Sequence, residues 1–111
     1  MLVTVLARGA ADVVEMPERL DAATAPELRQ AIAELQARGR HRLVLDLHRV
    51  QFCDSSGLSV LVTALKASRA AGGDTVLLRL TPAAQRVIRI TQLHQAFAIF
   101  DDEAAAVAAL S

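Results

Sequence analysis

Val50-Gln51-Phe52-Cys53-Asp54-Ser55-Ser56-Gly57-Leu58 is the stretch on which the reading of this chain turns. An apolar run from Leu43 to Leu47 leads into it. Leu58, Leu61, Val62 and Leu65 leave it at i, i+3, i+4, i+7, the spacing of one helix face. Between them stand an acid, two hydroxyls and a glycine, the residue types that cap helices and close tight turns. The pattern predicts a strand, a short turn and a helix. Ser55 and Ser56 then sit on a surface loop at the positive end of a helix macrodipole. That geometry suits binding or covalent modification.

Working outward, Arg42 to Leu47 is apolar on both faces apart from Asp46, the pattern of a central strand. Upstream, Leu2 to Arg8, a turn at Gly9 to Asp12, and Val13 to Met16 predict an N-terminal hairpin. Pro17 cannot donate a ladder hydrogen bond and closes the second strand. Thr24-Ala25-Pro26-Glu27 predicts a helix start, with Thr24 as cap, Glu27 reaching back and Pro26 in the first turn. Leu28, Ile32 and Leu35 form its apolar stripe, and Gly39 stops it. Downstream, the second helix runs to about Ala70 and Gly72-Gly73-Asp74 ends it. Thr75 to Leu80 predicts another strand, and Thr81-Pro82 opens a third helix whose apolar side is Ala84, Val87, Ile88 and Thr91. Phe97 to Phe100 predicts a short extended piece, and Asp101-Asp102-Glu103 opens a final helix. Strands alternating with helices imply parallel pairings with right-handed crossovers. The expectation is one α/β domain over residues 1–111, with a mixed, mostly parallel sheet of four to five strands and about four helices.

Composition narrows the function classes. The chain has 111 residues, 53% hydrophobic and 22% charged, which suits a single folded domain. Net charge is zero and the basic residues, eleven Arg and Lys66, are scattered, so no nucleic-acid footprint stands out. With 3% aromatics and no Trp or Tyr, base-stacking platforms are missing too. A lone cysteine, Cys53, permits no intrachain disulfide and suits a reducing compartment. No apolar run reaches membrane-span length, and Met1 to Arg8 lacks the basic start of a signal peptide. A cytoplasmic protein is expected.

A catalytic serine needs a base beside it. The G-x-S-x-G elbow is absent, and His41, His48 and His94 show no triad spacing. No ligand set has metal-site spacing, no glycine-rich phosphate loop is present, and no cofactor is expected. A serine on an exposed turn at a helix N-terminus is instead a good kinase substrate. Phosphorylation would add close to two negative charges, which the helix dipole tolerates. A partner packed on the same turn would have to bury that dianion beside Asp54. The bland alternative is that Asp54 or Ser55 merely caps the helix. Extrapolating the helix phase back from Leu58 puts Ser56 outward and Ser55 nearer the apolar side, so the residues themselves leave the two serines open.

Asp54-Ser55-Ser56-Gly57-Leu58 after Leu45-Asp46-Leu47-His48-Arg49-Val50-Gln51-Phe52 resembles the signature of STAS domains, and more narrowly of the bacterial anti-sigma factor antagonists. Leu20-Asp21-Ala22-Ala23-Thr24-Ala25 resembles the family's loop before its first helix. Gly72-Gly73, a strand and Thr81-Pro82 resemble its middle, and Thr91-Gln92-Leu93 with Phe97 and Phe100 its C-terminal third. The resemblance implies a STAS-type fold and a partner switch without enzymatic activity. The unphosphorylated antagonist binds an anti-sigma factor serine kinase with an ATPase fold of the histidine-kinase type, and a sigma factor is freed. Phosphorylation of the first serine, here Ser55, releases the antagonist, and a phosphoserine phosphatase resets it. By the same resemblance Asp21 lies near Ser55 and orients its hydroxyl or contacts the kinase, and Asp21, Thr24, Asp54, Ser56 and Gly57 form the partner-binding surface. Gly57 is expected to keep the loop low and open, and Cys53 to be a small buried hydrophobe. Two positions depart from the family pattern. Glu18-Arg19 stands where Gly-Glu is common, and Gln92 stands where glycine is common although Gln tolerates positive φ poorly. The alternatives are a STAS subunit of a transporter or another signalling complex, and a small serine hydrolase.

Overall fold

The computed structural model describes residues 2–111. Strand β1 (Thr4–Arg8) and strand β2 (Ala11–Glu15) form the expected antiparallel hairpin. The turn between them is only Gly9 and Ala10, with Gly9 at φ +65°. A two-residue strand β3 (Arg19–Leu20) precedes helix α1 (Ala25–Ala37). Strand β4 (Arg42–Asp46), a second two-residue strand β5 (Phe52–Cys53) and helix α2 (Ser55–Ala70) follow. The chain ends with β6 (Asp74–Leu78), α3 (Pro82–Ile90), a 3-10 turn (Leu93–Gln95), β7 (Ile99–Phe100) and α4 (Glu103–Ala109). The main sheet has five strands in the order β1-β2-β4-β6-β7, parallel from β2 onward.

Alternation along the central strands assigns the two sheet faces. Leu43 and Leu45 of β4 and Leu77 of β6 point into a large core with Leu28, Ile32 and Leu35 of α1, Val60, Leu61 and Leu65 of α2, and Ala84 and Ile88 of α3. Val44, Val76 and Leu78 point the other way, against Ala106 and Leu110 at the C-terminal helix. Both faces of β4 are therefore covered, which is why Leu43, Val44 and Leu45 follow one another without a polar residue between them. Each fully buried leucine contributes about 2 kcal/mol through removal of its surface from water. Buried polar groups in the larger core are paired. Thr75 donates to the Ser68 hydroxyl at 2.9 Å, and the Gln36 amide donates to that hydroxyl and to the Ala64 carbonyl, both at 3.1 Å.

Three local expectations are corrected. Thr24 does not cap α1 with its side chain; its own backbone is already near-helical (φ −96°, ψ −24°). The Asp21 carbonyl takes the Ala25 and Thr24 amides at 2.8 and 3.2 Å, so the cap lies one turn earlier. Glu27, freed from that role, accepts from the Leu2 backbone amide at 2.8 Å. The strand after α2 ends at Leu78, two residues short of the expected Leu80, because Arg79 turns into the left-handed region at φ 52°. Gln92 does occupy a left-handed position, φ 60° and ψ 21°, so its backbone keeps the conformation that glycine would hold without strain.

Candidate functional site

Ser55 opens α2, and Asp54 caps it as expected. One Asp54 carboxylate oxygen accepts the Ser56 amide at 2.9 Å and the Gly57 amide at 3.1 Å. The turn is anchored from outside as well. The Asp54 amide donates to the Leu20 carbonyl at 3.0 Å, and β3 pairs in parallel with β5, Leu20 opposite Cys53. Asp21 and Asp54 therefore follow side by side from neighbouring strands.

The two serines face opposite ways from the helix-phase expectation: Ser55 is exposed and Ser56 is half-buried. Position N1 of a capped helix is set by the cap and not by the phase of the later turns. Among the described residues, no side-chain hydrogen bond engages the Ser55 hydroxyl. It opens on a shallow groove of about 350 Å³ between α1 and α2, whose walls include Pro26, Arg29 and Ser59. No histidine or carboxylate lines that groove. His94 lines a different groove, beside Arg89 and Asp101. His48 is held 2.9 Å from the Asp46 carboxylate. A serine hydrolase would have to find its base elsewhere.

Gly57 is buried, which corrects its placement on the exposed surface. A Cβ there would stand 2.3 Å from the Leu20 carbonyl oxygen and 2.5 Å from the Leu20 Cβ. The glycine lets the first turn of α2 lie directly on β3. Asp21 and Thr24 do come to this end of the fold, but as one self-contained loop. The Asp21 carboxylate accepts Arg19 Nε at 2.9 Å and the backbone amides of Ala23 and Thr24 at 3.1 Å. The Thr24 hydroxyl donates to the Arg19 carbonyl at 2.9 Å. The Arg19 bond, followed by the Thr24 and Ala23 amides, holds the Asp21 carboxyl below the ordinary carboxylate value. This is a local loop lock; the described contacts do not tie Asp21 to the serine hydroxyl. Cys53 is half-buried, and burial, with Asp54 beside it, pushes its thiol up to about 11, so it stays protonated at neutral pH.

Two features of the site were not singled out in the sequence. The Arg19 guanidinium lies 4.5 Å from the centre of the exposed Phe52 ring, a cation–π pair across β3 and β5. Arg29 stands one helical turn beyond Ala25 on the wall opposite the serines. The Arg19–Phe52 pair leaves no periodicity signal, because two-residue strands have no period to read, and Arg29 lies off the apolar stripe of α1 that the spacing marks.

A second polar cluster lies close by in sequence. Asp46 is fully buried; its carboxylate accepts Arg79 at 2.7 Å, His48 Nδ1 at 2.9 Å and the His48 amide at 3.1 Å. Burial pushes this carboxyl up, but the Arg79 and His48 bonds prevail and hold it below its ordinary value. Glu15, Asp46 and His48 bring potential metal-ligand atoms within 4.8 Å of one another. With Arg79 already on Asp46, the cluster is an ion-paired network.

Fold and turn together define a class, an α/β domain that presents an accessible serine at the start of its central helix. A family model described as the STAS domain matches residues 4–106, and the chain belongs to that family. The anti-sigma F factor antagonist of Paenibacillus polymyxa is 30% identical over 99 residues, which cover 88% of this chain and 85% of that protein. The crystal structure of an anti-sigma factor antagonist from Mycobacterium paratuberculosis superposes with a TM-score of 0.84 at 28% identity, covering 97% of this chain and 92% of that one. The antagonist SpoIIAA in its unphosphorylated form gives a TM-score of 0.82 at 20% identity, over 95% of this chain and 92% of that one, a likeness of fold. No helix among the described residues is long and apolar enough to cross a membrane.

Proposed function

We propose that this chain is an anti-sigma factor antagonist, a single-domain, non-enzymatic cytoplasmic binding protein switched by phosphorylation of Ser55. The observation that carries the reading is the exposed, unengaged hydroxyl of Ser55 beside a capping Asp54, on a STAS fold whose relatives bear that name. In this reading the unphosphorylated protein binds an anti-sigma factor serine kinase, and a sigma factor is freed. The contact surface is the end of the fold formed by Asp21, Thr24, Asp54 and Ser56, flanked by Arg19 and Phe52, with Gly57 fixing the turn from beneath.

Phosphorylation joins the Ser55 oxygen to the γ-phosphorus of a nucleoside triphosphate held by the kinase. The bond to the diphosphate leaving group breaks, and the hydroxyl proton passes to a base of the kinase. The product carries close to two negative charges on an exposed helix start, which the dipole accommodates and the fold survives. A packed partner would have to desolvate those charges next to Asp54. Binding is therefore the quantity that changes, and a phosphoserine phosphatase restores it.

The experiment is phosphosite mass spectrometry on protein from its native host, with and without phosphatase, joined to kinase pull-down by two variants. Ser55→Ala should bind the kinase and resist release; Ser55→Asp should fold normally and bind weakly. Tight binding by Ser55→Asp, or phosphate on Ser56 alone, would count against Ser55 as the switch.

A further inference from the structure

We propose that Arg29 is an intramolecular receiver for the phosphoryl group of phosphorylated Ser55, drawing it down into the groove between α1 and α2. The inference rests on the reading of Ser55 as a phosphorylation site. Arg29 and Ser55 line the same groove, whose other walls are small or uncharged: Ala22, Ala25, Pro26 and Ser59. Arg29 is the only charged side chain lining it.

Arg29 is also available. Arg8, Arg19, Arg40, Arg69 and Arg79 are each committed to a carboxylate at 2.7 to 3.0 Å. Among the described residues Arg29 has no such partner and makes no side-chain hydrogen bond. Its neighbours one turn away on α1 are Ala25, Pro26, Ile32 and Ala33, none of them acidic. A guanidinium presents paired donors that match two phosphate oxygens, and such charge-assisted bonds are the strong ones. Ser59, one turn beyond Ser55 on α2, adds a hydroxyl donor on the same wall. Of the other charged groups at this end, Asp54 holds two amides of its own helix through one oxygen, and Asp21 holds Arg19 and its own loop, so neither engages Arg29. An exposed phosphoserine would project toward the partner. One received by Arg29 is ordered along the domain surface, so a phosphatase has to lift it out.

The test uses full-length protein with phosphoserine installed at position 55 during translation, so no kinase is involved. The phosphorus NMR shift is followed through the second ionisation of the phosphate at low ionic strength. An arginine in contact favours the dianion, so the wild-type titration should lie below that of a free phosphoserine. Arg29→Gln should raise it by about half a pH unit or more. Arg86→Gln, removing an exposed arginine on α3, should leave it in place. Coincident curves for Arg29→Gln and wild type would overturn the proposal, and so would equal shifts from both variants. Circular dichroism confirms that each variant is folded. Absence of phosphate from Ser55 in the host would defeat the switch reading without altering this titration.

Discussion

The Ser55 turn and the Asp46 cluster lie a few residues apart in the chain, and both are rich in polar groups. They are built in opposite ways. Asp46 is fully buried, and its carboxylate is saturated by Arg79, the His48 ring and the His48 amide. Ser55 is exposed, and no side-chain hydrogen bond holds its hydroxyl. At the turn the bonding is done by Asp54, which leaves the serine free. Density of polar residues therefore does not mark the site. The mark is an exposed hydroxyl left without a partner beside a carboxylate committed to capping the helix. The structural cluster spends its charges on the fold, and the candidate site keeps the exposed Ser55 hydroxyl and, on the groove wall, Arg29 in reserve.

That contrast orders a set of substitutions by stability. The largest loss is expected from Gly57→Ala, whose new methyl group meets the Leu20 backbone. Backbone cannot yield as a flexible side chain does, so urea denaturation should show a loss of about 3 kcal/mol. Asp46→Asn comes next, at about 2 kcal/mol. It weakens charge-assisted bonds at a buried acceptor, reduced because Arg79 and His48 are roughly half exposed. This loss should depend on pH with a definite sign. The folded carboxyl titrates below its unfolded value of 3.8, so its stabilisation is present above that value and fades as pH falls through the folded one. Denaturation midpoints of wild type and Asp46→Asn should converge in acid; a gap of constant size would show that the carboxylate charge is not what stabilises the cluster. Asp54→Ala should cost about 1 kcal/mol through the lost cap. Ser55→Ala should change stability least, within about 0.5 kcal/mol. It should nonetheless abolish phosphate incorporation, which separates the reserved group from the structural ones. A Ser55→Ala loss comparable to that of Asp46→Asn would erase the distinction.

The parts legible in the sequence are those with a period or a cap. The N-terminal hairpin with its turn at Gly9, the Leu43-Val44-Leu45 run of β4 and the Leu28-Ile32-Leu35 stripe are legible in the chain. Asp54 and Thr81 read as N-caps, and each does accept an amide of its helix; Asp102, read only as one of three acids at a helix start, turns out to cap as well. What stayed hidden depends on contacts between distant segments. The β3–β5 ladder is two residues long and pairs Arg19 with Phe52. The inward position of Gly57 depends on where Leu20 arrives, and the orientation of Ser55 on how Asp54 caps. Thr24 misled because its hydroxyl, free to cap, is drawn to the Arg19 carbonyl. Arg79 gave no warning of its left-handed backbone, which brings its guanidinium to Asp46.

The short β3–β5 ladder has a further consequence for the birth of the protein. Its two strands come from opposite sides of α1 and β4, so the turn carrying Ser55 is complete only after that intervening chain has been made and folded back. Pairing of this kind closes a long loop and belongs to the late, slow part of folding, after local helices have formed. A nascent chain would expose the serine but not its setting. On the proposed reading, a kinase that requires the assembled turn would act on finished copies and pass over half-made ones.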